Sequence, residues 1–209
     1  MEAGRIASSD GLDIAPAGFP EHVEEHQVPH TTAKQASLKD GGRPYLVGPL
    51  ARLALNAERL SDGARQALAD SGLEVPCFNP YKSIVARAVE ILFACEEALR
   101  LIDSYEPPDI PAVEVPPRPA TGHGVSEAPR GLLYHRYRLD AAGLIAEAEI
   151  VPPTSQNQAM IEADLKSVAE RFQDLDDAAL QWRCEQTIRN YDPCISCATH
   201  FLKLRVERG

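Results

Sequence analysis

No apolar run in the chain approaches the roughly 20 residues needed to span a bilayer. The opening stretch, MEAGRIASSD, lacks the charged-then-apolar pattern of an export signal, so the expected location is cytoplasmic. Positive charge is in deficit. A formal net charge of −10 argues against a nucleic-acid surface, because phosphate binding relies on clustered Lys and Arg. The cysteines number five, an odd count, which points to reduced thiols, metal ligands or core residues and not to a disulfide framework. Internal repeats and low-complexity tracts are also missing. What is present is ordinary for a globular protein: 44% hydrophobic and 25% charged residues in 209, enough to bury a sizeable core.

The expected fold class is mainly α with one small antiparallel β-hairpin. Residues 1–40 read as an irregular segment, and His22, His26 and His30 in it read as solvated, since no Cys or tight carboxylate cluster accompanies them. A helical region covers 41–108. Leu50, Leu53, Ala54 and Leu60 share a face, and Ser61 is placed to cap a second short helix through Leu68. Asn79 and Pro80 then open the clearest helix of the chain. Its apolar stripe through Ile84, Ala88, Ile91, Cys95, Leu99 and Ile102 predicts deep burial, with Cys95 a core thiol. The prolines of YEPPDIPAVEVPPRP end that helix, and a Pro-rich strap with the loop EAPRG spans 109–131. Alternating residues in LLYHRYRL and LIAEAEIV, joined through a Gly, predict a hairpin over 132–152. Helices resume over 153–200, and 201–209 is a terminal peptide.

The chemistry gathers near the end, in YDPCISCATH. Cys194 and Cys197 are spaced to grip one metal, and thiolates prefer soft or borderline ions. A c-type haem site is excluded, because it needs His directly after the second Cys. A redox dithiol would normally sit in an alternating strand-helix pattern, which is absent. A structural zinc needs a fourth ligand, for which Cys184 or Cys77 are the candidates. On its own the motif leaves zinc, another metal and a plain structural pair open.

Two further stretches flank the hairpin. Glu127 to Gly131 leads in and Val151 to Asn157 leads out, so antiparallel strands bring Arg130 and the hydroxyls of Thr154 and Ser155 to the same end. A guanidinium fork beside hydroxyls suits a small anionic or cyanide-like ligand. The plainer alternative pairs Arg130 with a carboxylate and uses Thr154 as a helix cap.

Together and in this order, EAPRG, VPPTSQN and DPCxxCxxH resemble the C-terminal half of the large subunit of nickel-iron hydrogenases. The likeness extends to DGGRPYLVGPLARLALN, NPYKSIVARAVEI and YEPPD, and is greatest to the cytoplasmic, pyridine-nucleotide-linked branch that includes the sulfhydrogenases. The resemblance implies that Cys194 is a terminal nickel ligand and that Cys197 bridges nickel and iron. Arg130, with Asp192 and Pro129, would overhang the open metal position. Thr154, or Ser155 beside it, would hydrogen-bond a cyanide on an iron that carries CN and CO ligands, and His200 would ligate magnesium or a similar ion. The implied reaction is reversible heterolytic cleavage of H2. Electrons would leave through an iron-sulfur small subunit and diaphorase-type subunits to NAD(P). The resemblance also implies that a maturation endopeptidase cuts after His200 and removes FLKLRVERG; an ordinary C-terminal strand is the alternative.

One departure matters. The family holds its bimetallic centre with four cysteines in two CxxC motifs, and only the second motif is here. The chain therefore reads as the second half of a large subunit, expected to work only with the N-terminal half. Two other readings are a non-catalytic interaction module and a CxxC zinc- or iron-binding structural domain.

Overall fold

The computed structural model describes residues 4–194 together with Arg205. The region expected to be irregular carries two short antiparallel ladders: β1 (Ile6–Ala7) with β2 (Asp13–Ile14), and β3 (Val23–Gln27) with β4 (Lys34–Leu38). Between them lies a single helical turn, α1 (Phe19–His22). These pairs escape notice in the sequence because the strands are two to five residues long, too short to display a period.

The helical region follows as α2 (Pro49–Asn56), α3 (Asp62–Asp70) and α4 (Ser83–Asp103). Proline at the first turn starts α2, where its missing N–H costs nothing. Ser61 does occupy the N-cap of α3, yet its hydroxyl bonds Glu96 instead of the helix. Asn79 caps through Tyr81 N at 3.0 Å, and a 3₁₀ turn, Pro80–Lys82, leads into α4. Leu50, Leu53, Leu60, Ala64, Ala86 and Val89 form one buried cluster among these three helices.

The expected deep burial of α4 is corrected. The helix buries only Ser83, Ala86 and Val89, while Ile84 is 63%, Ile91 65%, Leu99 62% and Ile102 70% exposed. Cys95 is exposed too, so it is not a core thiol. Hydrophobic periodicity reports which face seeks cover, and nothing in the described residues covers this one.

After the Pro-rich stretch comes a three-stranded antiparallel sheet ordered β5 (Ala120–Ala128), β6 (Gly131–Leu139), β7 (Ile145–Val151). The expected hairpin is its β6–β7 half. The first half of EAPRG, assigned above to a loop, is the end of β5, where Ala128 pairs with Gly131. A second buried cluster, with Phe19, Val23, Ala36, Tyr134 and Val151, locks the N-terminal ladders onto this sheet. Phe19 and Tyr134 stack there with ring centroids 4.3 Å apart. The last described elements are α5 (Pro153–Arg171) and α6 (Asp177–Asn190); they pack on each other, and α5 also packs on β4.

The accessible surface is 13870 Å². A compact monomer of this mass would expose about 9,600 Å².

Candidate metal centre

The site lies where the β5–β6 turn, the start of α5 and the end of α6 meet. Antiparallel register sets Tyr134 opposite Val151, so the EAPRG turn and the first turn of α5 emerge at one end of the sheet, as the sequence implies. Arg130 reaches across to the end of α6. Its Nε donates to the Asp192 carbonyl and lies 3.3 Å from Asp192 Oδ2. Asp192 holds a left-handed backbone, φ 49°, uncommon for a residue with a side chain but tolerated by Asp. Half-buried Cys194 follows two residues later, and its N–H donates to Thr154 Oγ1 at 3.3 Å. Arg130, Asp192, Thr154 and Cys194 therefore share one site.

The two hydroxyls differ. Ser155 Oγ donates to Pro152 O at 3.1 Å, which commits its hydrogen. Thr154 uses its oxygen as an acceptor for Cys194 N, leaving its hydrogen without an acceptor among the described residues. Both are buried, so Thr154 is the one able to donate to a ligand. Pro129 is exposed at the rim, and its carbonyl accepts from Arg52 Nη2 at 3.0 Å. Cys197, His200 and all of 201–209 except Arg205 lie outside the described residues.

Beneath the site the first turn of α5 is polar yet buried, with Gln156 and Asn157 next to the two hydroxyls. Gln156 Nε2 donates to Leu132 O at 2.6 Å and Val151 O at 3.1 Å, and its Oε1 accepts from Tyr45 OH at 3.1 Å. Asn157 accepts from Val47 N at 2.9 Å and donates to Val47 O at 3.1 Å and Arg130 O at 3.4 Å. Sequence reasoning missed this belt. Its signal was the run TSQN directly after two prolines, where the entering backbone leaves donors unpaired. It also missed Arg87, whose Nη2 donates to Asn190 O at 3.1 Å beside Arg130. Burial lowers the pKa of Arg87, and Asp192 partly restores it.

Fit to a nickel-iron centre turns on donor chemistry. Cys194 offers a soft sulfur, the donor type that nickel and iron take up. The spare thiol Cys184 is not a ligand candidate: it is buried in α6, and burial raises its pKa. Among the described residues no group of three or more His, Cys, Asp or Glu could hold a metal. The described donors thus suit one side of such a centre, not a whole one.

The fold is that of part of a hydrogenase large subunit. The chain belongs to the family described as nickel-dependent hydrogenase, which it matches over residues 39–200. It is 32% identical over 201 residues to sulfhydrogenase 1 subunit alpha of Pyrococcus furiosus, covering 95% of this chain and 46% of that one. It is 40% identical over 207 residues to the NAD-reducing hydrogenase HoxS subunit beta of Cupriavidus necator, covering 88% of this chain and 39% of that subunit. An NAD+-reducing [NiFe]-hydrogenase crystallised in the H2-reduced state superposes with a TM-score of 0.78 at 27% identity, over 94% of this chain and 46% of the other. The chain spans about half the length of the relatives it matches. No helix in the described residues is long and apolar enough to cross a membrane.

Proposed function

We propose that this chain is the C-terminal part of a nickel-iron hydrogenase large subunit and that it supplies one side of a Ni-Fe centre for reversible H2 cleavage. The observation that carries the reading is the convergence of Arg130, Asp192, Thr154 and Cys194. Cys194 and Cys197 would hold the nickel and iron, Thr154 would hydrogen-bond a cyanide belonging to a centre that also carries CO, and His200 would hold magnesium or a similar ion. When bound, the centre supplies the Lewis acidity that polarises H2.

The chain's own contribution is a fixed cation beside a carboxylate. Arg130, tethered to Asp192 through both its carbonyl and its Oδ2, keeps its charge fixed at the end of α6, beside the site that Cys194 lines. The Asp192 carboxylate beside it would be the group that passes on a proton. Pro129, rigid and exposed, would limit the approach to the centre.

Electrons pass to an iron-sulfur small subunit and on through diaphorase-type subunits to NAD(P), a reading supported by the 40% identity to the NAD-reducing relative. The same reading places the chain in the cytoplasm. It also makes 201–209 a peptide removed by a maturation endopeptidase. The N-terminal half of the large subunit supplies the remaining thiolates and covers the bare face of α4.

The test is to produce the chain with and without that half, with the maturation proteins, and to record metal content and infrared spectra. Nickel, iron and cyanide and carbonyl bands are expected only from the assembled pair, and Cys194→Ser should remove them. A pair that assembles yet binds zinc alone would overturn the reading in favour of a structural zinc domain.

A further inference from the structure

Arg52 sits on α2 with its side chain only 18% exposed. A guanidinium has five N–H donors, and here each has an acceptor. Nε and Nη2 meet the two oxygens of Glu90 on α4, both at 2.7 Å. Nη1 meets Glu127 Oε2 at 2.8 Å and Ala128 O at 2.9 Å. Nη2 also meets Pro129 O at 3.0 Å. The last two acceptors are the carbonyls immediately before Arg130. Two other segments meet the Arg130 carbonyl. A Cβ on Gly48, at the N-cap of α2, would lie 2.7 Å from Arg130 O, and Asn157 Nδ2 donates to that oxygen from the other side.

We propose that Arg52 is a positioning residue for Arg130: by holding the Ala128 and Pro129 carbonyls against α2 and α4, it fixes where the Arg130 guanidinium projects. This deepens the function proposed above and rests on it for the consequence in catalysis, though not for the consequence in the loop. Two carboxylates neutralise the buried charge of Arg52, so two of its donors are left to hold backbone. Lysine would keep the charge but could not span both carbonyls and both carboxylates, because its three donors radiate from one point.

The first experiment is amide hydrogen exchange on the 209-residue chain, comparing wild type with Arg52→Lys. The amides of Ala128, Arg130 and Gly131 should exchange roughly tenfold faster or more in the variant, as expected for a locally released segment, while α6 is unchanged. Trypsin should also cut the variant sooner after Arg130. If protection at 128–131 is unchanged, or is lost equally throughout α5 and α6, the proposal is overturned. Should Arg52→Lys fail to fold, Glu127→Gln decides the matter, since it spares the Glu90 fork: local loosening supports the proposal and its absence overturns it.

The second experiment uses the assembled enzyme. Arg52→Lys should lower kcat for H2-dependent dye reduction roughly tenfold or more, the scale of a small misplacement, and shift its pH profile. Nickel content and the cyanide and carbonyl bands should stay as in wild type. Wild-type turnover with the unshifted pH profile would overturn the positioning role. If the wild-type assembly itself carries no nickel, the functional reading fails, and the exchange data still decide how the loop is held.

Discussion

Adding one methyl group at Gly131 should damage the site more than most core truncations would. Gly131 opens β6 with φ +135°, and an added Cβ would lie 2.5 Å from Val47 Cγ2, 2.8 Å from Gly48 N and 2.9 Å from Val47 C. Ordinary carbon contacts are about 3.5 Å, so the Val47–Gly48 segment would have to retreat by about 1 Å. It is not free to do so, because Asn157 holds Val47 by both its N–H and its carbonyl, at 2.9 and 3.1 Å. The strained backbone costs about 1–3 kcal/mol and the overpacking a similar amount. Taking about 3 kcal/mol in all, Gly131→Ala should lower Tm by about 6–12 °C for a chain of this size. Gly122→Ala is the control, since a Cβ there meets nothing within 4 Å. Melting both variants by circular dichroism checks the argument. If Gly131→Ala melts within about 2 °C of the control, the close approach of the two segments is not as rigid as argued.

Four other outcomes can be measured. Burial pushes the pKa of Tyr45 and Tyr191 well above the ordinary tyrosine value, helped by Glu25 and by Asp164 respectively. Both fold best protonated, so their contribution is complete below about pH 10 and is lost as pH rises further. Tyr45→Phe should flatten the alkaline arm of the stability profile; Tyr191→Phe should too, after losing about 1 kcal/mol at neutral pH with its 2.5 Å bond to Asp164. A maleimide should label exposed Cys95 in the native chain but reach buried Cys184 only on unfolding, and Cys95→Ser should change stability by no more than about 0.5 kcal/mol. The isolated chain should self-associate through α4, seen by light scattering, and Ile84→Lys with Ile91→Lys should reduce this; a monomeric wild type at high concentration would contradict it. Intact mass of protein matured in its native host should lack residues 201–209, and an active nickel enzyme that keeps them would rule out processing.

Much of the fold is legible in the sequence where the signal is local. Asn79 and Pro80, the period of α4 and the alternation in β6 and β7 all stand in single windows. That Arg130 and Thr154 leave the sheet at the same end could be read as well, because a hairpin brings its own ends together. What stayed hidden depends on partners distant in sequence. Gln35 and Ser37 are buried polar residues in a short strand under α5, and the bond from Gln35 to Glu162 spans 127 positions. The five bonds of Arg52 are similar, for an arginine inside an apolar helix reads as surface until Glu90 and Glu127 are placed around it. Cys95 failed for the opposite reason: its pattern truly marks an apolar face, but burial of that face is not a property of this chain alone.

The bare face of α4 bears on how stability varies with temperature. Heat capacity rises on unfolding in proportion to the apolar surface newly exposed to water. A compact protein of this length would show a change of about 2.8 kcal/mol/K. Here roughly 4,000 Å² more than a compact monomer exposes is already wet in the native state, by comparison with the 13870 Å² observed. With ordinary proportions of apolar and polar surface, that excess removes about 0.5 kcal/mol/K from the change. The stability curve of the isolated chain should therefore be broad and shallow, with weak cold destabilisation. Docking of whatever covers α4 should restore part of the missing heat capacity and sharpen the curve, so calorimetry of the chain alone and in its assembly measures how much apolar surface that docking covers.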